Sequence, residues 1–189
     1  MIRAAIKTLG NLRWGLVALA FLCQQTSAAV PEYDVKAALL YKVSKFVHWP
    51  DGALPATGGT LHVCVIGHDD FGASIDALTG QKVQGQVIAI ERLPNSPLAA
   101  SACQIAFISH SERSRLASVL GALAGAPVLT VSDIEGFAGL GGMVAFATRD
   151  GKISFQINPA ASARAGIEIG AQLLQLATLV SDSPANISP

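Results

Sequence analysis

The sequence predicts a single compact α/β domain with a mixed, mostly parallel sheet, a C-terminal β-hairpin and helices on both faces. Short, unbroken apolar runs alternate with helical segments, which is typical of parallel strands covered on both faces. Two further apolar runs flank an Asp-Gly pair near the C-terminus, which favours a tight hairpin turn. The 189 residues are 51% hydrophobic, enough to build one substantial core.

The first 29 residues have the pattern of a secretory signal peptide. Basic residues precede the apolar run Trp14–Cys23, and the small polar stretch QQTSAA follows it. The run is short for a membrane span, although an uncleaved anchor is the alternative. Leu22 before Cys23 argues against a lipoprotein. Cleavage after Ala29, or after Ala28, would leave a domain over residues 30–180 and a disordered tail over residues 181–189.

Cleavage would leave a weakly acidic chain with two cysteines. It would remove three of the 13 basic residues and none of the 13 acidic ones, so that 10 against 13 remain, a net charge of −3. This charge does not suggest nucleic-acid binding. Charged residues make up only 14% of the chain, which points to a covered surface or to partners. The remaining pair, Cys64 and Cys103, is most simply a disulfide in an exported protein.

The predicted elements begin with a helix over residues 30–49, ended by Pro50 because the residue before a proline avoids the helical region. Its apolar residues share one face. They are Val35, Leu39, Val43, Phe46 and Val47. A strand at Leu61–Ile66 follows, then a short helix over about 71–78, and one or two strands within residues 81–93.

The middle of the chain contains two unbroken apolar strands, Ile105–Ser109 and Val128–Val131, separated by a helix that Ser111 is expected to cap. The hairpin comes next. Its arms are Met143–Thr148 and Ile153–Ile157, joined through Asp150-Gly151.

A short helix is predicted after the hairpin, with Asn158 as its N-cap and Pro159 in its first turn. Gly166 is expected to end it, and a last helix, GAQLLQLATLV, is predicted over residues 170–180. Leucines on several faces of that helix would need cover from both sides. The sequence therefore predicts an interaction surface for a second copy or a partner. Its residues are Ile167, Ile169, Leu173 and Leu176.

Other patterns give weak or negative indications of chemistry. His62 and Cys64 share a strand face and could join Cys103 and His68 or His110 in a zinc site, but the spacing matches no standard ligand pattern and the disulfide is favoured. Ser132-Asp133 follows a strand end and is interpreted as a turn and helix cap. The glycine-rich stretch from Gly139 matches no phosphate-binding motif. No catalytic group and no cofactor is predicted.

The chain resembles the YfiR-like family of periplasmic proteins over about residues 35–180. The resemblance rests on the order of six segments. They are YKVSKFVHWP, LHVCVIGHDDFG, CQIAFIS, VLTVSD, FAGLGGMVAFATRDGKISFQIN and AGIEIGAQLLQLA. It implies a compact α/β domain, a disulfide between Cys64 and Cys103, and a tendency to form a homodimer. Some members carry a second cysteine pair, whereas this chain has Ala138 and Ala145 in that region.

The resemblance also implies a regulatory function. It implies a periplasmic protein that inhibits a membrane-bound diguanylate cyclase by contacting its periplasmic sensor region, and an OmpA-like outer-membrane lipoprotein that sequesters the inhibitor. The alternative is a small-ligand-sensing domain feeding a histidine kinase or cyclase. Its pocket would be lined by Trp49, Phe71 or Phe137.

Overall fold

The computed structural model describes residues 31–94, 97–149 and 152–183. These form an eight-stranded sheet, a separate two-stranded ladder and helices. The strands are β1 Val47–His48, β2 Thr60–Ile66, β3 Lys82–Val83, β4 Gln86–Leu93, β5 Ile105–Ile108, β6 Leu129–Ser132, β7 Val144–Arg149, β8 Lys152–Ile157, β9 Glu168–Ile169 and β10 Thr178–Leu179. The helices are α1 Glu32–Lys45, α2 Ala73–Asp76, α3 Leu116–Ala122, α4 Pro159–Arg164 and α5 Ala171–Leu176, with 3₁₀ helices at Pro97–Ala102 and His110–Arg115.

The sheet is mixed and mostly parallel, as the sequence predicts. Its strand order is β10-β8-β7-β6-β5-β2-β4-β3. Five neighbouring pairs are parallel, and the β3–β4 and β7–β8 pairs are antiparallel. In the hairpin, Arg149 lies opposite Lys152. The turn residues Asp150 and Gly151 lie outside the described residues, so the turn type stays a prediction.

Helices cover both faces of the sheet. Successive side chains of the central strands therefore point alternately into two cores, one on each face. On β2, Val63 and Val65 belong to the core under α1, whereas Cys64 and Ile66 belong to the core under α3. Strand β5 divides in the same way, with Phe107 in the first core and its neighbours Ala106 and Ile108 in the second. The all-apolar strand pattern in the sequence is thus explained by burial on two sides.

Three predicted helices are corrected. The first ends at Lys45, and Val47–His48 instead pairs with β9. Ser111 lies inside a 3₁₀ helix and its hydroxyl accepts a hydrogen bond from the His68 backbone N–H (2.9 Å), so it caps nothing. The last helix ends at Leu176, because the chain turns extended at Ala177 and forms β10. Sheet hydrogen bonds to β8 there outcompete the helix.

The start of α4 is as predicted. The Asn158 side-chain oxygen accepts a hydrogen bond from the Ala161 backbone N–H (3.0 Å), and Pro159 occupies the first turn. The Asn158 amide also donates to the Ala138 carbonyl (2.8 Å) and to Asp182 (2.7 Å). Backbone contact with the domain continues to Ser183, beyond the predicted boundary at residue 180.

Replacing Asn158 by alanine is expected to lower the free energy of unfolding by about 2–4 kcal/mol. The variant removes the cap and leaves the Ala138 carbonyl without its donor at a fully buried position (0% exposed). Urea denaturation followed by circular dichroism measures the effect. The control is Ser154→Ala, an exposed hydroxyl on β8, expected within about 0.5 kcal/mol of wild type. Equal urea midpoints for Asn158→Ala and Ser154→Ala would contradict the stabilising role of Asn158.

Candidate functional site

A groove of about 850 Å³ opens where the first turns of α1 approach β7, β8 and the loop after β6. We call it the α1 groove. It is lined mainly by polar side chains, including Glu32, Tyr33, Lys36, Asp133, Thr148 and Gln156. Asp133 directly follows β6, at the carboxyl end of a parallel strand, where α/β sheets commonly place functional groups.

The centre of the α1 groove is a buried ion pair between Lys36 and Asp133. Lys36 Nζ lies 2.7 Å from Asp133 Oδ2, and their side chains are only 5% and 8% exposed. The same Nζ lies 2.7 Å from Glu32 Oε1 and 4.3 Å from the centre of the Tyr33 ring. The Tyr33 hydroxyl donates to Asp133 Oδ2 (3.0 Å). The cluster joins the start of α1 to a loop 97 residues away in the chain.

The surroundings of Glu32, Tyr33 and Lys36 shift the pKa of each group so that its ordinary charge state is favoured. Burial lowers the pKa of Lys36, but the hydrogen bonds to Asp133 and Glu32 outweigh it and the pKa is raised overall. Burial, then the Asp133 charge, raises the pKa of Tyr33. Hydrogen bonds from Lys36 and Thr148 lower the pKa of Glu32. A lysine held protonated is neither a base nor a nucleophile, so this arrangement favours structure or binding over catalysis.

One atom of the cluster has no partner among the described residues. Asp133 Oδ1 is buried and accepts no hydrogen bond there, although a buried carboxylate oxygen without a donor is costly. The neighbouring Ser132 is fully satisfied, because its hydroxyl donates to the Ile108 carbonyl (2.6 Å) and accepts from the Ile134 backbone N–H (3.0 Å). The turn predicted at Ser132-Asp133 is therefore present, but the predicted helix cap is wrong, because no helix lies between β6 and β7 in the described part of the chain.

The predicted disulfide between Cys64 and Cys103 is present. It joins β2 to the segment before β5, and both cysteines are buried, at 0% and 3% exposure. The bridge closes 39 residues of chain, and in the chain-entropy model a loop of that length stabilises by about 4 kcal/mol.

The predicted interaction surface is mostly core. Ile167, Ile169 and Leu173 are only 2%, 6% and 5% exposed and pack in the core under α1. They are therefore unavailable to a partner in the folded chain. Leu176 is different, because its side chain is 77% exposed. Leu179, which belongs to the last predicted helix but was not among the four predicted surface residues, is 57% exposed on β10.

We call Leu176 together with strand β10 the C-terminal edge. Strand β10 is the last strand of the sheet on this side among the described residues, with β8 as its neighbour. An edge strand leaves one row of backbone N–H and C=O groups for another chain. Two large exposed leucines, Leu176 and Leu179, lie within three residues of each other in the chain at this edge.

The three aromatic residues predicted to line a pocket are core side chains, and they are divided between the two faces of the sheet. Trp49 (9% exposed) and Phe71 (4%) are core residues under α1, and the Trp49 indole N–H donates to the Gln104 carbonyl (3.2 Å). Phe137 (0%) lies in the core on the opposite face of the sheet. None of the three lines the α1 groove.

A comparison with protein families shows to which family the chain belongs. The model of the YfiR/HmsC-like family matches residues 33–178, which include Cys64, Cys103, α5 and the lining of the α1 groove except Glu32. The chain belongs to the YfiR/HmsC-like family. Proteins of this family are periplasmic and act as regulators. In the described part of this member, no helix has the length and apolar character needed to cross a membrane.

The sequence carried one weak signal for the α1 groove. Lys36 shares a helix with Ala37, Leu40 and Val43, all in the core, and it is itself buried. A lysine that cannot reach water needs a counter-charge. The helical pattern does not say which carboxylate supplies it, because Asp133 comes from a distant strand end.

Proposed function

We propose that this YfiR/HmsC-like protein inhibits a membrane-bound diguanylate cyclase by binding its periplasmic sensor region, and so lowers cyclic di-GMP in the cell. The observation that carries the proposal is the family match over residues 33–178. The protonated lysine at the centre of the α1 groove supports a binding role over a catalytic one.

We assign the cyclase contact to the C-terminal edge. Two observations support it. Leu176 and Leu179 are exposed although both are large and apolar, and no described strand pairs with the outer edge of β10. A segment of the cyclase would add to this edge through backbone hydrogen bonds and bury the two leucines. An OmpA-like outer-membrane lipoprotein that bound this protein would relieve inhibition by withholding it from the cyclase. We further propose that the protein is a homodimer.

The variants Leu176→Glu and Leu179→Glu are expected to remain folded and to bind the cyclase's periplasmic region about 10- to 100-fold more weakly. Burying one leucine at a contact is worth about 1.5–3 kcal/mol, and 1.4 kcal/mol corresponds to a tenfold change in affinity. Calorimetry with the purified periplasmic region measures the affinity, and cyclic di-GMP in the parent cell is expected to rise.

The matched control is Gln175→Glu, which adds the same charge at an exposed position of α5 and removes no leucine. It is expected to bind as wild type does. Light scattering reports the oligomeric state of each variant, so that loss of a homodimer is separated from loss of the cyclase contact. Wild-type affinity for both leucine variants would overturn the assignment of the edge, whereas no binding by the wild type would overturn the proposed function.

A second candidate function is ligand sensing, with output to a histidine kinase or cyclase. It is favoured by the volume of the α1 groove and by the Asp133 Oδ1 atom in its lining, which has no hydrogen-bond partner within residues 31–94, 97–149 and 152–183. Native mass spectrometry of protein purified from the periplasm tests it. A retained small molecule that is lost in Asp133→Asn would support sensing, and a wild-type protein of the apo mass would count against it.

A further inference from the structure

Side chains of the types that ligate metal ions cluster at the disulfide. The potential ligand atoms of Cys64, Glu91 and Cys103 all lie within 4.8 Å of one another. The Glu91 carboxylate lies beside the bridge, with Oε2 4.0 Å from Cys64 Sγ. This contact is not a hydrogen bond, because a disulfide sulfur carries no proton. The charge of Glu91 therefore faces the bridge without a donor from it.

The fold brings these groups together through strand register. Cys64 on β2 lies directly opposite Glu91 on the parallel strand β4. His62, two residues before Cys64, points to the same face and its Nδ1 pairs with Glu91 Oε1. Cys103 arrives from the end of the 3₁₀ helix before β5. Three separate segments thus contribute to one cluster.

The geometry suits a tetrahedral ion once the bridge is opened. Zinc–sulfur bonds of about 2.3 Å at tetrahedral angles place two thiolates about 3.8 Å apart. The Cα atoms of the two cysteines are 6.1 Å apart, so side-chain rotation can supply this separation. The His62 and Glu91 side chains are 38% and 45% exposed, whereas the cysteines are buried. An ion would therefore enter from the His62 side.

The electrostatics of the reduced state also favour a cation. Two thiolates at these buried sulfurs, beside the Glu91 carboxylate, would gather three negative charges, so without a cation the thiols would keep their protons. A divalent cation offsets that repulsion and is bound by the same atoms. Histidine held against a coordinating carboxylate is a common way to orient the ligand.

We propose that the dithiol form of this protein binds one Zn²⁺ through the Cys64 and Cys103 thiolates and the Glu91 carboxylate, with His62 orienting Glu91 and water as the fourth ligand. A dithiol or phosphine reductant supplies two electrons to the S–S bond and is itself oxidised, and two protons complete the thiols. Zn²⁺ then displaces both thiol protons to solvent as the two Zn–S bonds form. The ion and the disulfide exclude each other, because both use the same sulfur atoms.

The test titrates Zn²⁺ into the mature protein reduced with a phosphine, in a buffer that does not chelate zinc. One ion per chain is expected, with protection of both thiols from alkylation and a rise in melting temperature. The oxidised protein is the matched control and is expected to bind at least about 100-fold more weakly, because its sulfurs cannot act as thiolates. Glu91→Gln is expected to weaken binding at least about tenfold, and Cys103→Ser more.

Circular dichroism of the reduced protein separates loss of the site from loss of the fold. If reduction unfolds the chain, Zn²⁺ is expected to restore the native spectrum in the wild type and not in Glu91→Gln. Equal zinc affinity in the reduced and oxidised forms would overturn the proposal. So would a reduced protein, folded or unfolded, that Zn²⁺ neither stabilises nor protects. Neither result bears on binding of the oxidised protein to a cyclase, which is tested separately.

Discussion

Replacing Lys36 by alanine is expected to lower the free energy of unfolding by about 3–5 kcal/mol. The change leaves the Asp133 carboxylate, 8% exposed, without its only cation among the described residues. A buried charge without a partner is among the most destabilising defects in a folded protein. The Tyr33 hydroxyl would remain as a donor to Oδ2, but it carries no compensating charge. Urea denaturation followed by circular dichroism gives the free energy.

Two further variants make the Lys36 experiment decisive. Lys42→Ala removes an exposed lysine from the same helix and is expected to change stability by less than about 0.5 kcal/mol. The double variant Lys36→Met, Asp133→Leu is expected to be more stable than Lys36→Ala, because no unpaired charge remains. If Lys36→Ala unfolds at the same urea concentration as Lys42→Ala, the pair does not hold α1 to the loop after β6.

Leu173→Glu is expected to destabilise the protein by more than about 4 kcal/mol and to leave little folded chain. Leu173 is only 5% exposed and packs in the core under α1, so the variant loses the burial of a leucine and places a carboxylate in an apolar site. Circular dichroism and light scattering of the purified variant measure folding and aggregation. The conservative variant Leu173→Met is expected to cost less than about 1.5 kcal/mol.

This expectation reverses the role that the sequence suggested for Leu173. As a surface residue it would tolerate a glutamate and lose only a partner, as expected for Leu176→Glu. A folded Leu173→Glu variant with the wild-type melting temperature and weakened association would therefore show that Leu173 is exposed after all. The comparison of Leu173 with Leu176, three residues apart on α5, separates core from surface within one turn.

The sequence by itself determined the features that depend on neighbouring residues. The apolar runs at β2, β5 and β6 predict buried strands because a strand covered on both faces is largely apolar rather than alternating. The Asn158 cap is recognisable because its partner, the Ala161 N–H, is three residues away. The disulfide was predictable because only two cysteines remain after the predicted cleavage.

The tertiary structure alone decided which distant segments meet. The partner of Lys36 lies 97 residues away, and no helical pattern names it. Trp49, Phe71 and Phe137 looked equivalent as aromatics, yet the sheet places Phe137 on the opposite face. The last predicted helix ended early because the edge of β8 offered its unpaired backbone groups to Thr178 and Leu179. Helix periodicity is a local property, whereas burial, charge pairing and strand addition depend on surfaces that exist only after the chain has folded.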